Sequence, residues 1–132
     1  MRLTERELTA ALEGAAKSVL AAQDKDVRKG RRTADDAWQA LTKYQRYVML
    51  DGLGDQVLGV LVSLPDREVP IGERPRFSDA EVEVAVRERG GDDLTGLKGR
   101  VLLKARVALV QLALANIPPR ADPDALVVPD HL

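Results

Sequence analysis

Thr4-Glu5-Arg6-Glu7 opens the first periodic stretch of the chain, a hydroxyl followed three residues later by a glutamate, with Leu3 and Leu8 placed to close across it. That is the spacing of a capping box with a hydrophobic staple, two devices that satisfy the unpaired amides of a helix start. Leu8, Ala11, Leu12, Ala15, Val19 and Ala22 then share one side of a helical wheel, opposite Arg6, Glu13 and Lys17. A first amphipathic helix is predicted over 5–23. The polar run 24–32, interrupted by Gly30, reads as a connector. Thr33-Ala34-Asp35-Asp36 repeats the start signal, with acids in the first turn where the helix dipole favours them. A second helix follows over 34–50, with Ala34, Ala37, Trp38, Leu41, Tyr44 and Val48 as its core face and Gly52 as its C-terminal cap. In the next stretch Leu58, Val60, Val62 and Leu64 alternate as a strand would. The helical grouping of Leu53, Val57, Val60, Leu61 and Leu64 is the better match, so a third helix is predicted from 53 to Pro65.

Pro65, Pro70, Gly72 and Pro75 make 65–77 a long loop that divides the chain nearly in half. Phe77-Ser78-Asp79-Ala80-Glu81-Val82 again combines a capping box with a staple, starting a short fourth helix that runs to about Arg89 and stops at Gly90-Gly91. A fifth extends from Asp93 or Thr95 to Asn116, ahead of Ile117-Pro118-Pro119. After Arg100 its only polar members are Lys104, Arg106 and Gln111, so neighbours are expected to cover most of its circumference. The fold class is therefore all-α: one compact bundle of about five helices over 1–116, the long apolar C-terminal helix at its centre, followed by an extended Pro-containing tail, 117–132.

Composition narrows the chemistry. The 132 residues suit a single domain. They include four aromatics (Trp38, Tyr44, Tyr47 and Phe77), no cysteine, and one histidine, His131 in the tail. Disulfide scaffolds, cysteine-based zinc sites, cysteine nucleophiles, Ser-His-Asp triads with an ordered histidine and base-stacking platforms are excluded on that inventory. The net charge is −1, so no global field draws the chain to nucleic acid, although 51–97 is acidic, with eleven Asp/Glu against five Lys/Arg. No apolar run approaches the roughly 18 residues of a membrane span, and the expected location is cytoplasmic. Fourteen arginines against six lysines, with a single asparagine, point to a GC-rich, bacterial genome.

No motif specifies catalysis, a metal or a cofactor. Three of the carboxylate pairs, Asp35/Asp36, Glu81/Glu83 and Asp92/Asp93, fall at helix starts, where capping explains them. The run Gly91 to Lys98 has the glycines and lysine of a phosphate-binding loop at the wrong spacing, with no strand before it. Lys25, Arg28, Lys29, Arg31 and Arg32 form a basic segment suited to phosphate contacts. Arg106, ringed by Leu102, Leu103, Leu109, Val110 and Ala113 on the wheel, is expected to form a buried ion pair with an acid from 51–93. Tyr47 lies off the core face of its helix, Ile71 sits in the Pro-rich loop, and Leu126, Val127 and Val128 make an apolar patch in the tail. These are the candidate interaction surfaces. The expected function is a non-enzymatic helical module for protein–protein contact, self-associating as a homodimer and with no membrane partner. The alternative is a nucleic-acid-associated protein that places the 25–32 cations on phosphates.

Overall fold

Four helices start on the same reciprocal pair of hydrogen bonds. In a computed structural model, which describes residues 1–90 and 94–121, the amide of Glu7 donates to Thr4 Oγ1 at 3.1 Å while Glu7 Oε1 accepts from the Thr4 amide at 3.0 Å. Thr33 with Asp36, Thr42 with Gln45 and Ser78 with Glu81 repeat the arrangement. Each box satisfies two amides that the helix itself leaves unpaired. The helices are α1 (Glu5–Gln23), α2 (Lys25–Arg28), α3 (Ala34–Ala40), α4 (Lys43–Ser63), α5 (Asp79–Gly90) and α6 (Gly96–Ala115), and no strand occurs among the described residues.

The all-α class and the boundaries of α1, α5 and α6 agree with the sequence pattern. The middle of the chain is divided differently. A helix over 34–50 is interrupted at Leu41, whose backbone is extended (φ −70°, ψ 148°), and Thr42 then caps a new helix that runs unbroken through Gly52 and Gly54 to Ser63. The Thr42-Gln45 box wins over the apolar periodicity that crosses it. Gly52 ends nothing, because the glycines with positive φ among the described residues are Gly30, Gly72 and Gly96. The core face assigned to 34–50 splits accordingly. Ala37 and Trp38 are buried, whereas Tyr44 is 74% exposed and Val48 49%. The connector 24–32 also contains a helical turn, α2, which Asp24 caps by accepting the Val27 amide at 3.0 Å.

The core is aliphatic. Val57 and Leu61 of α4, Val82 and Val86 of α5, and Val110 of α6 are fully buried, as is Ile117 beyond it. Burying a Val or Leu side chain contributes about 1.5–3 kcal/mol. Ala11, Ala15 and Ala16 let α1 lie close to the other helices. At Gly14 a Cβ atom would stand 2.2 Å from Cγ of Asn116 at the end of α6.

Helix α6 packs on α1, α4 and α5. It is not enclosed as expected of a central helix, for one whole side is uncovered: Leu97 is 80% exposed, Val101 65% and Leu112 38%. The loop after α4 is held down along its length. Arg67 stacks on Phe77 at 4.2 Å and donates to Glu81 and, at 3.0 Å, to the Arg76 carbonyl. The Gly72 amide donates to the Arg120 carbonyl at 2.8 Å and the Arg120 amide to the Glu73 carbonyl at 2.9 Å. Of the tail, 122–132 lies outside the described residues.

Candidate interaction surfaces

Helix α4 changes character at its midpoint. Its buried residues, Gly54, Val57, Val60 and Leu61, all lie in the C-terminal half. The N-terminal half carries Tyr44, Tyr47 and Val48 on a turn and a half of exposed helix surface, with Tyr47 64% exposed. Exposed large apolar side chains grouped in this way, unlike isolated ones, mark contact surfaces. Tyr47 also borders a recess of ≈ 550 Å³ between α1 and α4, shared with Leu12, Leu50 and Leu58 and with the carboxylates of Asp51 and Asp55.

A larger groove of ≈ 1170 Å³ runs between α5 and α6. Leu103 and Val107 form its floor, and the α6 wall is the uncovered side of that helix. Asp79, Glu83 and Arg87, one turn apart on α5, form the other wall. The Gln111 amide fixes the relation of the two helices by donating to the Phe77 carbonyl at 2.9 Å and to Asp79 Oδ1 at 3.0 Å. Since α5 leads through a short connection into α6, the two run antiparallel. The acidic end of α5 lies beside the C-terminal half of α6, and Arg87 lies toward Arg100 and Lys104.

The residues singled out from sequence do not converge on one place. Tyr47 is about 25 Å from the C-terminal end of α4 at a rise of about 1.5 Å per residue, and Ile71, 61% exposed, belongs to the loop that leaves that far end. Leu126, Val127 and Val128 lie outside the described residues. In the basic segment, Arg31 pairs with Asp26 at 3.5 Å and Arg32 with Asp24. Hydrogen bonds from Arg32 and, after it, from the Val27 amide hold the Asp24 carboxyl below its ordinary range, and the bond to Asp24 in turn raises Arg32. Lys25, Arg28 and Lys29 make no side-chain ion pair among the described residues. The segment's charge is thus partly neutralised by its own acids.

The ion pair expected of Arg106 draws on the acids of 51–93, of which Asp92 and Asp93 lie outside the described residues. Arg106 is half-buried rather than enclosed. Its side chain borders a recess of ≈ 410 Å³ with Asp55, Gln56 and Arg89. Its Nε is buried and without a hydrogen-bond partner, and it makes no ion pair with the described acids of 51–90. Among the described residues, a buried carboxylate is ion-paired at the other end of the fold, where Glu7 and Arg120 lie 3.2 Å apart. Sequence reasoning overlooked both that pair and the α5/α6 groove. The groove's signal was present in the alternating apolar spacing of Leu97, Val101, Ala108 and Leu112, hidden because the rest of α6 is apolar too.

Among the described residues no three His, Asp or Glu side chains are grouped as metal ligands, and no helix is long and apolar enough to cross a membrane. No protein-family model, curated protein or solved structure matches the chain.

Proposed function

We propose that this protein is a non-enzymatic helical interaction module that acts through protein–protein contact and associates with itself. The observation that carries the reading is the uncovered side of α6, where Leu97, Val101 and Leu112 face solvent along the wall of an open groove. A helix in a small bundle ordinarily turns such residues inward, and leaving three of them exposed in one row costs solubility without adding to the chain's own core. The Tyr44 and Tyr47 surface on α4 is a second apolar face of the same kind. Among the described residues the grooves are lined by no histidine or cysteine, and their carboxylates are spaced along helix faces rather than converging on one point.

Size-exclusion chromatography with light scattering, at low and raised salt, tests this. The expected result is a mass above the 14.4 kDa of one chain that persists in salt. A second arm adds a mixed oligonucleotide, because Lys25, Arg28 and Lys29 leave the phosphate-binding alternative its cations. Binding that weakens steeply with salt would support that alternative instead. A chain that stays a monomer at every concentration overturns the self-association reading.

A further inference from the structure

We infer that the α5/α6 groove is the seat of a second copy of this chain, with α6 lying antiparallel on α6 about a two-fold axis. The inference rests on the self-association reading above and names its surface, orientation and register.

The first observation is a symmetry in the exposed positions. Leu97, Val101, Lys104, Ala105, Ala108 and Leu112 are all exposed on α6, and they are arranged evenly about the bond between Lys104 and Ala105. An antiparallel copy centred there sets Leu97 against Leu112 and Val101 against Ala108, with Lys104 against Ala105 at the axis, so the four outer apolar positions meet apolar partners. Ala105 and Ala108 at the middle let the two backbones approach closely. A two-fold contact must be self-complementary in this sense, each position matched to its counterpart across the axis. The spacing of Leu97, Val101, Lys104 and Ala108, four then three then four residues, is that of a helix-pairing seam.

The second observation is the distribution of charge. Asp79 and Glu83 make one end of the groove acidic, while Arg87, Arg100 and Lys104 make the other basic. Because Asp79 is hydrogen-bonded to Gln111, its level on α6 is known, and in the antiparallel register that level faces Lys98 and Arg100 of the second copy. Glu83, one turn further along α5, faces the second copy between Arg100 and Lys104. Each acidic end therefore meets a basic end, twice per dimer. A parallel pairing would put Arg100 on Arg100 and each acidic end on an acidic end, and like charges juxtaposed across an interface disfavour that orientation, whereas Lys104 lies beside its own counterpart in either one. Glu83 already holds Arg87 at 2.9 Å within its own helix, and among the described residues Asp79, Lys98, Arg100 and Lys104 form no ion pair of their own.

Sedimentation equilibrium of the full chain and three variants tests the proposal. Val101→Glu is expected to weaken dimerisation about tenfold or more, while Tyr44→Ser/Tyr47→Ser on α4 leaves it unchanged. Asp79→Lys/Glu83→Lys and Arg100→Glu/Lys104→Glu should each be monomeric alone and form a mixed dimer together, a rescue that also shows both variants are folded. For orientation, the cysteine-free chain allows single Leu97→Cys and Leu112→Cys variants, which should cross-link to each other and not to themselves. Dimerisation unaffected by Val101→Glu, self-cross-linking of Leu97→Cys, or a mixture of the charge variants that stays monomeric would each overturn it. If instead the α4 double variant alone abolishes association, this inference fails and the proposed function stands; if the unaltered chain is monomeric, both fail.

Discussion

Glu7 of α1 and Arg120, beyond the end of α6, meet with Nε to Oε2 at 3.2 Å, while the other Glu7 oxygen accepts the Thr4 amide at 3.0 Å. One carboxylate thus caps the first helix and anchors the last described segment of the chain. Arg120→Leu leaves Glu7, whose side chain is 8% exposed, as a carboxylate short of one partner. Urea unfolding should show a loss of about 1–3 kcal/mol. Glu7→Gln keeps an oxygen for the Thr4 amide and should cost less. The double variant should lose less than the sum of the two, because the residues share one interaction.

The glycines divide into opposite groups. Nothing lies within 4 Å of a Cβ added at Gly52, which sits inside α4 with ordinary helical φ. Gly52→Ala should raise stability by about 0.5–1 kcal/mol by restricting the unfolded chain. A Cβ at Gly99 would stand 2.2 Å from the carbonyl carbon of Leu94, and backbone cannot move aside as a flexible side chain can. Gly99→Ala should destabilise by about 1–3 kcal/mol. Thermal melts of the two variants should shift in opposite directions.

Thr42→Ala removes the oxygen that accepts the Gln45 amide at 3.1 Å. The expected cost is about 1 kcal/mol. Loss of helicity measured by circular dichroism should be confined to the exposed N-terminal half of α4, since the buried half is held by Val57 and Leu61.

Acid should weaken the fold through two carboxyls. The Ser78 amide, and after it Arg67, hold Glu81 below its ordinary 4.5, and Arg32 with the Val27 amide hold Asp24 below its ordinary 3.8. A carboxyl lowered in the folded state adds stability that is fully present above its unfolded pKa and is lost as pH falls toward the folded one. Stability should therefore be level near neutrality and decline from about pH 5 downward. Glu81→Gln should flatten part of that slope in urea titrations repeated across the acid range.

How much of this was legible beforehand varies with the physics of each signal. Helix starts announce themselves locally, since Thr4, Thr33 and Ser78 each stand three residues before the acid that completes the box. The same device at Thr42 was hidden by its partner, Gln45, and by an apolar repeat that continues across the break from Trp38 and Leu41 to Tyr44 and Val48. Which side of α6 is left open was not legible, because a helix apolar nearly all round has no preferred face until its neighbours take theirs. Nor was the partner of Arg120, which depends on how the loop at Glu73 and the start of α1 come together at the end of α6.

The fastening of 65–77 has a consequence for how the chain can be cut and rebuilt. A long Pro- and Gly-containing connection between two halves of a helical domain is ordinarily the first place a protease nicks and an engineer inserts. Here Arg67 stacked on Phe77, Arg74 donating to the Ile117 carbonyl at 2.6 Å, and the paired amides of Gly72 and Arg120 leave little slack to thread through a protease cleft. The exposed turn around Ile71 is the narrow exception, and the two halves are joined there less by a hinge than by a clasp.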